Sequence, residues 1–255
     1  MDLVIQRLLM PALLLGLRIG GLMSFAPFLG STSISVRFKA ALTVAFTVLL
    51  YPVCAPQIIQ VTAANWLTTV LSESCLGLLL GLTVQFVFEA AQFAGQFASI
   101  QMGFSLVTIL DPQTQADTPV ISVFFQTAAL FLFLQLNIHH WMIRALARSY
   151  ALVPVGSVTI SAPLLREFFH VASSMWVVGV ELAGPVVLGT MVVDLSLKFL
   201  GKVSPQIPVM IVGVSIKFLL GVAILITAIG YWPGFFESRF GAALSIADRL
   251  LRLAH

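Results

Sequence analysis

Charged residues are scarce in this chain of 255 residues. Only 9% of them are Asp, Glu, Lys or Arg, whereas soluble globular domains contain about 25%. Hydrophobic residues make up 59%, and a soluble core of this size cannot bury that much apolar surface. The scarcity of charge therefore excludes an ordinary soluble domain. It predicts a protein surrounded partly by lipid or by the apolar flanks of other subunits.

Motifs for catalysis, metal binding and nucleic-acid binding are also missing. The two cysteines, Cys54 and Cys75, stand in apolar sequence without CxxC or Cys/His spacing, so we interpret them as small buried hydrophobic residues. The 13 basic residues are dispersed, with no basic run interleaved with aromatic residues, which argues against nucleic-acid binding. The sequence has no HExxH, GxSxG, P-loop or GxGxxG motif. We therefore expect a protein that is not an enzyme and that uses no metal ion or cofactor.

Most of the chain consists of apolar segments. Each is long enough to span a membrane as a helix, which takes about 20 residues. Proline-containing breaks separate them, as helix stops should. The six segments cover approximately residues 8–30, 40–60, 66–102, 118–147, 164–200 and 208–232. Because we find neither an internal repeat nor a low-complexity linker, we predict an all-α, multi-helix integral membrane domain over residues 1–232.

The third and fifth segments are too long for a simple membrane span. Each has about 37 residues, and a helix of that length is roughly 55 Å long, whereas the hydrocarbon core is about 30 Å thick. We therefore expect these two segments to bend, to break into helical hairpins, or to stand partly outside the bilayer.

The C-terminal residues 233–255 differ from the rest and are predicted to form a separate amphipathic helix. Charged residues occupy one side of this helix and apolar residues the other. This separation favours a helix that lies on the surface of a membrane or a partner. The apolar side consists of Phe236, Phe240, Ala243, Ala247, Leu250 and Leu251.

A polar stripe runs along the third segment. At 100° per residue its members share an arc of about 80°, and they are Gln85, Glu89, Gln92, Gln96, Ser99 and Gly103. One interpretation is a wet surface that lines a conduit or faces partner subunits, and the other is hydrogen bonding between helices of a bundle. Upstream, Gly77 and Gly81 allow another helix to approach closely.

Isolated charges lie inside several other apolar segments: Arg18, Glu181, Asp194 and Lys217. Such residues are rare in membranes and often mark ion or proton pathways. The alternative is a buried lysine–carboxylate pair or a lysine that reaches the membrane interface.

Two blocks of the sequence carry specific motifs: GQFASIQMGFSLVTILDPQTQADTPVISVFF (95–125) and LQLNIHHWMIRALARSYALVPVG (134–156). Both resemble the FliR family of the flagellar export apparatus, which is related to the SpaR/YscT group of virulence secretion. A third stretch, SPQIPVMIVGVSIKFLLG (204–221), matches the family pattern at Lys217.

The resemblance implies a structural subunit of the type III protein export gate in the bacterial inner membrane, within the flagellar basal body. FliP-like and FliQ-like subunits, and a FlhB-like subunit, are the implied partners, together with membrane lipid and unfolded secreted proteins. The assembled core would be raised toward the periplasm. Much of the apolar surface would then face other subunits instead of lipid.

The resemblance also implies that the loop after the third segment plugs the central pore. Carried onto this sequence, the plug extends from Gly103 to about Thr118, with Gly103 as a hinge. Its first ten residues are Gly103, Phe104, Ser105, Leu106, Val107, Thr108, Ile109, Leu110, Asp111 and Pro112. An apolar constriction of this kind can close a narrow pore by dewetting. The alternative is an ordinary loop between helices.

A different class of function also fits the intramembrane charges. A self-sufficient, ion-coupled transporter would use Glu89, Glu181, Asp194 and Lys217 as coupling residues near the middle of the membrane.

Overall fold

The chain is an all-α, multi-helix membrane protein. A computed structural model describes residues 9–27, 30, 34–54, 65–104, 119–203 and 209–254, and these contain no β-strand. The α-helices are α1 (Met10–Phe25), α2 (Val36–Cys54), α3 (Trp66–Gln101), α4 (Val120–Gln135), α5 (Ile138–Leu152), α6 (Ala162–Val203), α7 (Val209–Ala228) and α8 (Trp232–Leu253), with a short 3₁₀ turn at Ile229–Tyr231.

The two overlong segments are single, uninterrupted helices. Helix α3 has 36 residues and α6 has 42, so neither segment breaks into a hairpin, which the sequence had left open. Helix α6 continues through Pro185, although proline lacks the N–H that would bond one turn back. At 1.5 Å per residue the two helices are roughly 54 and 63 Å long.

The fourth predicted segment, by contrast, is two helices. The chain breaks between α4 and α5, and the helices bend by 67° there. Asn137 at the break has φ 55°, in the left-handed region that asparagine tolerates better than most residues. The Leu-Asn pair lies inside a long apolar run, and for this reason the sequence pattern did not reveal the break.

Three stretches among the described residues are long and apolar enough to cross a membrane: Trp66–Gln101, Ala162–Val203 and Val212–Leu253. The pair α4 and α5 would add a fourth if it crosses as one broken span. Helix α1, with 16 residues, is shorter than an average span.

The chain forms two compact units. The first comprises Met1–Val87, Phe133–Ser173 and Arg239–His255, and the second comprises Phe88–Leu132 and Ser174–Ser238. Helices α3, α6 and α8 each contribute residues to both units.

A fully buried ion pair lies in the core of the first unit. Arg18 Nε on α1 donates to Glu73 Oε2 on α3 at 2.7 Å, and both side chains have 0% exposure. Arg18 Nη1 donates to the carbonyls of Ser149 and Val153 at 3.1 and 3.0 Å, and the guanidinium lies 4.6 Å from the centre of the Tyr150 ring. Burial of an ion is tolerable only when partners replace its water. These contacts do so for Nε and Nη1, whereas Nη2 is buried without a hydrogen-bond partner among the described residues.

The same carboxylate also fixes the segment after α5. Glu73 Oε1 accepts a hydrogen bond from the backbone N–H of Gly156 at 3.0 Å, where φ is 92°. The Tyr150 hydroxyl donates to the carbonyl of Leu15 at 3.0 Å. One carboxylate therefore ties α1, α3 and the chain that leaves α5.

Close backbone packing between α1 and α3 accompanies this pair. A Cβ on Gly77 would collide with the carbonyl oxygen of Arg18, and one on Gly81 would lie 2.8 Å from the carbonyl oxygen of Leu22. A Cβ on Gly21 would lie 2.8 Å from the carbonyl oxygen of Ser74. Glycines on both helices thus permit the close approach that the sequence predicted for Gly77 and Gly81.

The C-terminal helix α8 packs against the protein itself. All six apolar side chains of its predicted face are buried: Phe236, Phe240, Ala243, Ala247, Leu250 and Leu251. Phe240 meets Phe133 with ring centres 5.5 Å apart. This face therefore fills the protein interior, whereas the sequence had favoured contact with a membrane or partner. The separation of residues 233–255 as a domain remains a prediction.

Aromatic pairs and small residues build the second unit. Phe93 on α3 packs edge-on against Trp176 on α6, with ring centres 4.7 Å apart, and Phe125 on α4 lies 4.8 Å from Trp232. A Cβ on Gly95 would collide with the Cα of Ser122. Helices α3 and α4 therefore cross here with their backbones in contact.

We predict that removing one member of the buried pair destabilises the protein more than removing both. Arg18→Leu or Glu73→Leu leaves an unpaired buried charge and should lower the free energy of unfolding by about 3–5 kcal/mol. The double variant should lose less than either single variant, because no unpaired charge remains. The measurement is the temperature at which the chain becomes protease-sensitive in native membrane vesicles. The exposed Glu237→Gln is the control, and single variants that behave like it would contradict the assignment.

We also predict that Gly77→Ala lowers the free energy of unfolding by about 2–3 kcal/mol, because α1 and α3 must move apart. The matched control is Gly184→Ala on α6, where a Cβ would have no other atom within 4 Å. That substitution should stabilise the helix by about 0.5–1 kcal/mol. The same protease assay applies, and equal effects of the two substitutions would show that the crossing is not tight.

Candidate functional site

The polar stripe lies on the part of α3 that leads to the predicted plug loop. Gln85, Glu89, Gln92 and Gln96 are half-buried, and Ser99 is buried. On the opposite side of the helix four alanines are completely buried: Ala90, Ala91, Ala94 and Ala98. Helix α3 thus presents a small, tightly packed face and, opposite it, a polar face with partial access. Both interpretations of the stripe, a wet surface and hydrogen bonding between helices, are compatible with this arrangement.

A Schellman motif ends α3 at the start of the loop. The N–H of Phe104 donates to the carbonyl of Ser99 at 3.0 Å, and the N–H of Gly103 donates to the carbonyl of Ile100 at 3.1 Å. Gly103 has φ 94°, which is the left-handed conformation that this motif needs and that glycine adopts without strain. Gly103 therefore turns the chain sharply at one fixed point. Residues 105–118, which include Ser105 to Pro112 of the predicted plug, lie outside the described residues.

Helix α7 packs against this turn with one face. Phe104 and Phe218 meet edge to face, with ring centres 5.5 Å apart. A Cβ on Gly221 would lie 2.7 Å from Cγ of Met102, and a Cβ on Gly103 would lie 3.3 Å from Cγ1 of Val214. The turn thus packs against the side chains of Val214 and Phe218 and against the backbone of Gly221, at positions i, i+4 and i+7 of α7, which share a face.

Two of the predicted intramembrane charges meet beside the same turn. Lys217 Nζ on α7 lies 2.9 Å from Asp194 Oδ1 on α6. The other carboxylate oxygen, Asp194 Oδ2, accepts a hydrogen bond from Nε2 of Gln101, the last residue of α3, at 3.3 Å. The side chains of Lys217 and Asp194 are 18% and 33% exposed, so water still reaches the pair. We refer to Gln101, Asp194 and Lys217 as the Asp194 cluster.

The other two charges of the predicted transporter stand away from this cluster along their helices. Glu181 precedes Asp194 by 13 residues on α6, and Glu89 precedes Gln101 by 12 residues on α3. At 1.5 Å per residue these separations are roughly 20 and 18 Å. Arg18 belongs to the first unit, where it pairs with Glu73.

Sequence reasoning missed two members of these sites. Glu73 is the partner that a buried Arg18 requires, and it is one of two acidic residues in the third segment, the other being Glu89. Gln101 lies outside the polar stripe, on the other side of α3, so the periodicity that revealed the stripe did not include it. Among the described residues no group of three or more His, Cys, Asp or Glu side chains could hold a metal ion.

Comparison with known proteins gives consistent matches over nearly the whole chain. The family described as bacterial export proteins, family 1, matches residues 9–243. The flagellar biosynthetic protein FliR of Escherichia coli is 26% identical over 230 residues, covering 90% of this chain and 88% of its own length. FliR of Pectobacterium carotovorum is 28% identical, covering 93% and 91%. FliR of Bacillus subtilis is 31% identical over 165 residues, 64% of each chain. The chain therefore belongs to the bacterial export proteins of family 1, the FliR family that its sequence resembles.

Proposed function

We propose that the chain is a structural, channel-forming subunit of the flagellar protein export gate, and that residues from Gly103 to about Thr118 form its plug loop. The observation that carries the assignment to the export apparatus is the family match over residues 9–243. The relatives are named as flagellar biosynthetic proteins, which favours the flagellar over the virulence apparatus. Its place is then the inner membrane, in the basal body, with the core raised toward the periplasm.

The fixed end of α3 supports the assignment of the plug. A loop that closes a pore must start from a fixed position, because any movement of its first residue would also displace the residues that close the pore. Gly103 supplies such a point through the Schellman motif, and α7 packs against it. The residues that follow, Phe104 to Leu110, are mostly apolar and suit a constriction that closes by dewetting.

Large apolar side chains at the surface support assembly with other subunits in the membrane. In the most apolar 18-residue stretch of α6 only 28% of the residues are buried. Exposed apolar patches of this extent mark contact with lipid or protein. On α2 and α6 the exposed residues include Val36, Phe38, Val44, Val48, Leu49, Phe169, Trp176, Val177, Val180, Leu188, Val192, Leu195 and Phe199. We assign this surface to FliP-like and FliQ-like subunits, a FlhB-like subunit and lipid, and the pore to unfolded secreted proteins.

The rival function, an ion-coupled transporter, has one observation in its favour. Lys217 and Asp194 form a partly exposed pair inside apolar helices, as a coupling site would. The geometry favours the gate, because both carboxylate oxygens of Asp194 already have partners at the end of α3 and on α7. Glu89 and Glu181 also stand roughly 18–20 Å away along their helices.

We predict that this chain forms a defined hetero-oligomer only together with FliP-like and FliQ-like subunits. Expressed alone in detergent it should aggregate, because its exposed apolar faces have no partner. Native mass spectrometry of the chain alone and of the co-expressed subunits measures this. A stable, monodisperse particle of the chain alone that binds neither partner would instead favour the transporter.

We further predict that deletion of residues 104–118 makes the assembled gate leak ions. The measurement is potassium efflux from liposomes that contain the co-expressed assembly. Leu106→Asn should also leak, because a polar side chain wets the constriction, whereas Asp111→Asn, which replaces one polar residue of the loop by another, serves as the control. An unchanged efflux after the deletion, in an assembly of normal composition, would refute the plug.

A further inference from the structure

We propose that one end of the first unit binds the phosphate groups of anionic phospholipids. Five exposed arginines form the binding surface, and we call them the arginine surface: Arg144 and Arg148 on α5, Arg166 on α6, and Arg249 and Arg252 on α8. Such binding requires that the chain lies in a membrane, but it requires neither the plug loop nor assembly into a gate.

Contacts among the three helices bring these arginines together. Arg148 Nη1 on α5 lies 3.7 Å from Asp248 Oδ2 on α8, and Arg249 Nε on α8 lies 3.7 Å from Glu167 Oε1 on α6. The segment before α6 is also hydrogen-bonded to the carbonyls at the end of α8. The end of α8 therefore contacts both α5 and the start of α6.

The other arginines extend this surface along their helices. Arg144 precedes Arg148 by four residues and Arg252 follows Arg249 by three, so the members of each pair share a helix face. Arg166 is the fifth residue of α6. Each of the five arginines therefore lies at, or within about one helical turn of, a contact between these helices.

Positive charge exceeds negative charge on this surface. Glu167 and Asp248 are the acidic side chains that accompany the arginines, so five arginines and two carboxylates give a formal charge of +3. The two carboxylates stand 3.7 Å from arginines whose side chains are 61% and 67% exposed, and such pairs are weak. Within the described part of the chain, Arg144, Arg166 and Arg252 form no ion pair. The surface therefore offers these three guanidinium groups to an anion.

Exposed aromatic side chains beside the arginines favour a lipid as the source of the anion. Trp141 precedes Arg144 by three residues, Phe169 follows Arg166 by three, and both rings are exposed. Tryptophan is enriched where helices cross the interface between membrane and water, and arginines at this level extend their charged ends to the headgroups. A lipid contacts such a surface with both its acyl chains and its phosphate, whereas an acidic peptide would use the arginines alone.

The ends of two candidate membrane spans also lie at this surface. Ala162–Val203 and Val212–Leu253 are long and apolar enough to cross a membrane, and Arg166 and Arg252 stand near the start of the one and the end of the other. Basic residues that flank a membrane-spanning stretch lie near the headgroups, and clusters of them attract anionic lipids. The planar guanidinium group can also donate two hydrogen bonds to one phosphate. An anionic lipid therefore fits both the charge and the position of the surface.

Quenching of Trp141 fluorescence measures which lipid occupies the surface. The chain, with its co-expressed subunits, is reconstituted into liposomes in which either phosphatidylglycerol or phosphatidylcholine carries brominated acyl chains. Subtracting the signal of Trp141→Phe isolates the contribution of Trp141. We expect phosphatidylglycerol, the anionic lipid, to quench Trp141 more strongly than phosphatidylcholine at equal mole fraction. Arg144→Gln and Arg252→Gln should each lower the ratio of the two binding constants about three- to fivefold.

Arg37→Gln on α2 is the matched control, because it removes an exposed arginine of the same unit that lies outside the arginine surface. Its ratio should equal that of the parent, and Arg144→Lys, which keeps the charge, should retain most of the preference. Protease sensitivity in membrane vesicles checks that the variants fold. If a glutamine variant does not fold, the salt dependence of the parent replaces it. A salt concentration of about 1 M shortens the screening length to about 3 Å and should bring the ratio toward one.

Three results would overturn the proposal. Equal quenching of the parent by the two lipids would show that the surface touches the membrane without selecting charge. A preference that both glutamine variants and high salt leave unchanged would place the anionic lipid elsewhere. Quenching by neither lipid would show that protein covers the surface, and an acidic segment of a partner subunit would then be the anion that the arginines bind.

Discussion

The buried pair of Arg18 and Glu73 is the contact on which the first unit depends. Its two charges have no access to water, so they are tolerable only while their partners stay in place. The same arginine packs its backbone against Gly77, one helical turn after Glu73. The side-chain pair and the close crossing therefore depend on each other. A side chain at position 77 would force the helices apart, and loss of one partner of the pair would leave the other charge buried and unpaired.

Helix α3 contributes residues to both units and packs differently in each. In the first unit its glycines meet the backbone of α1, and in the second its alanines and Gly95 are buried while Gln85, Glu89, Gln92 and Gln96 of the polar stripe are only half-buried. Small side chains thus occupy the packed side, and of the polar side chains of the stripe only the small Ser99 is fully buried. The helix is unbroken over its 36 residues and ends at the turn of Gly103.

The sequence predicted the helices well where long apolar runs end in proline or polar breaks. The third segment was predicted at 66–102 and is Trp66–Gln101. The sequence pattern did not reveal the break at Asn137, because a residue in the left-handed conformation does not change the hydropathy of the apolar run around it. The partners of the buried charges were harder to predict, because Glu73 lies 55 residues from Arg18 in the sequence and only the fold brings the two together. The loop residues 105–118 remain predicted from the family resemblance alone.

The charges of the second unit fit contacts between helices better than an ion path. A relay needs groups within hydrogen-bond reach of one another or of shared water. Asp194 instead has one oxygen on Lys217 and the other on Gln101, and the next carboxylate along α6 is roughly 20 Å away. A carboxylate occupied in this way has little capacity to accept and pass on an ion without releasing the end of α3.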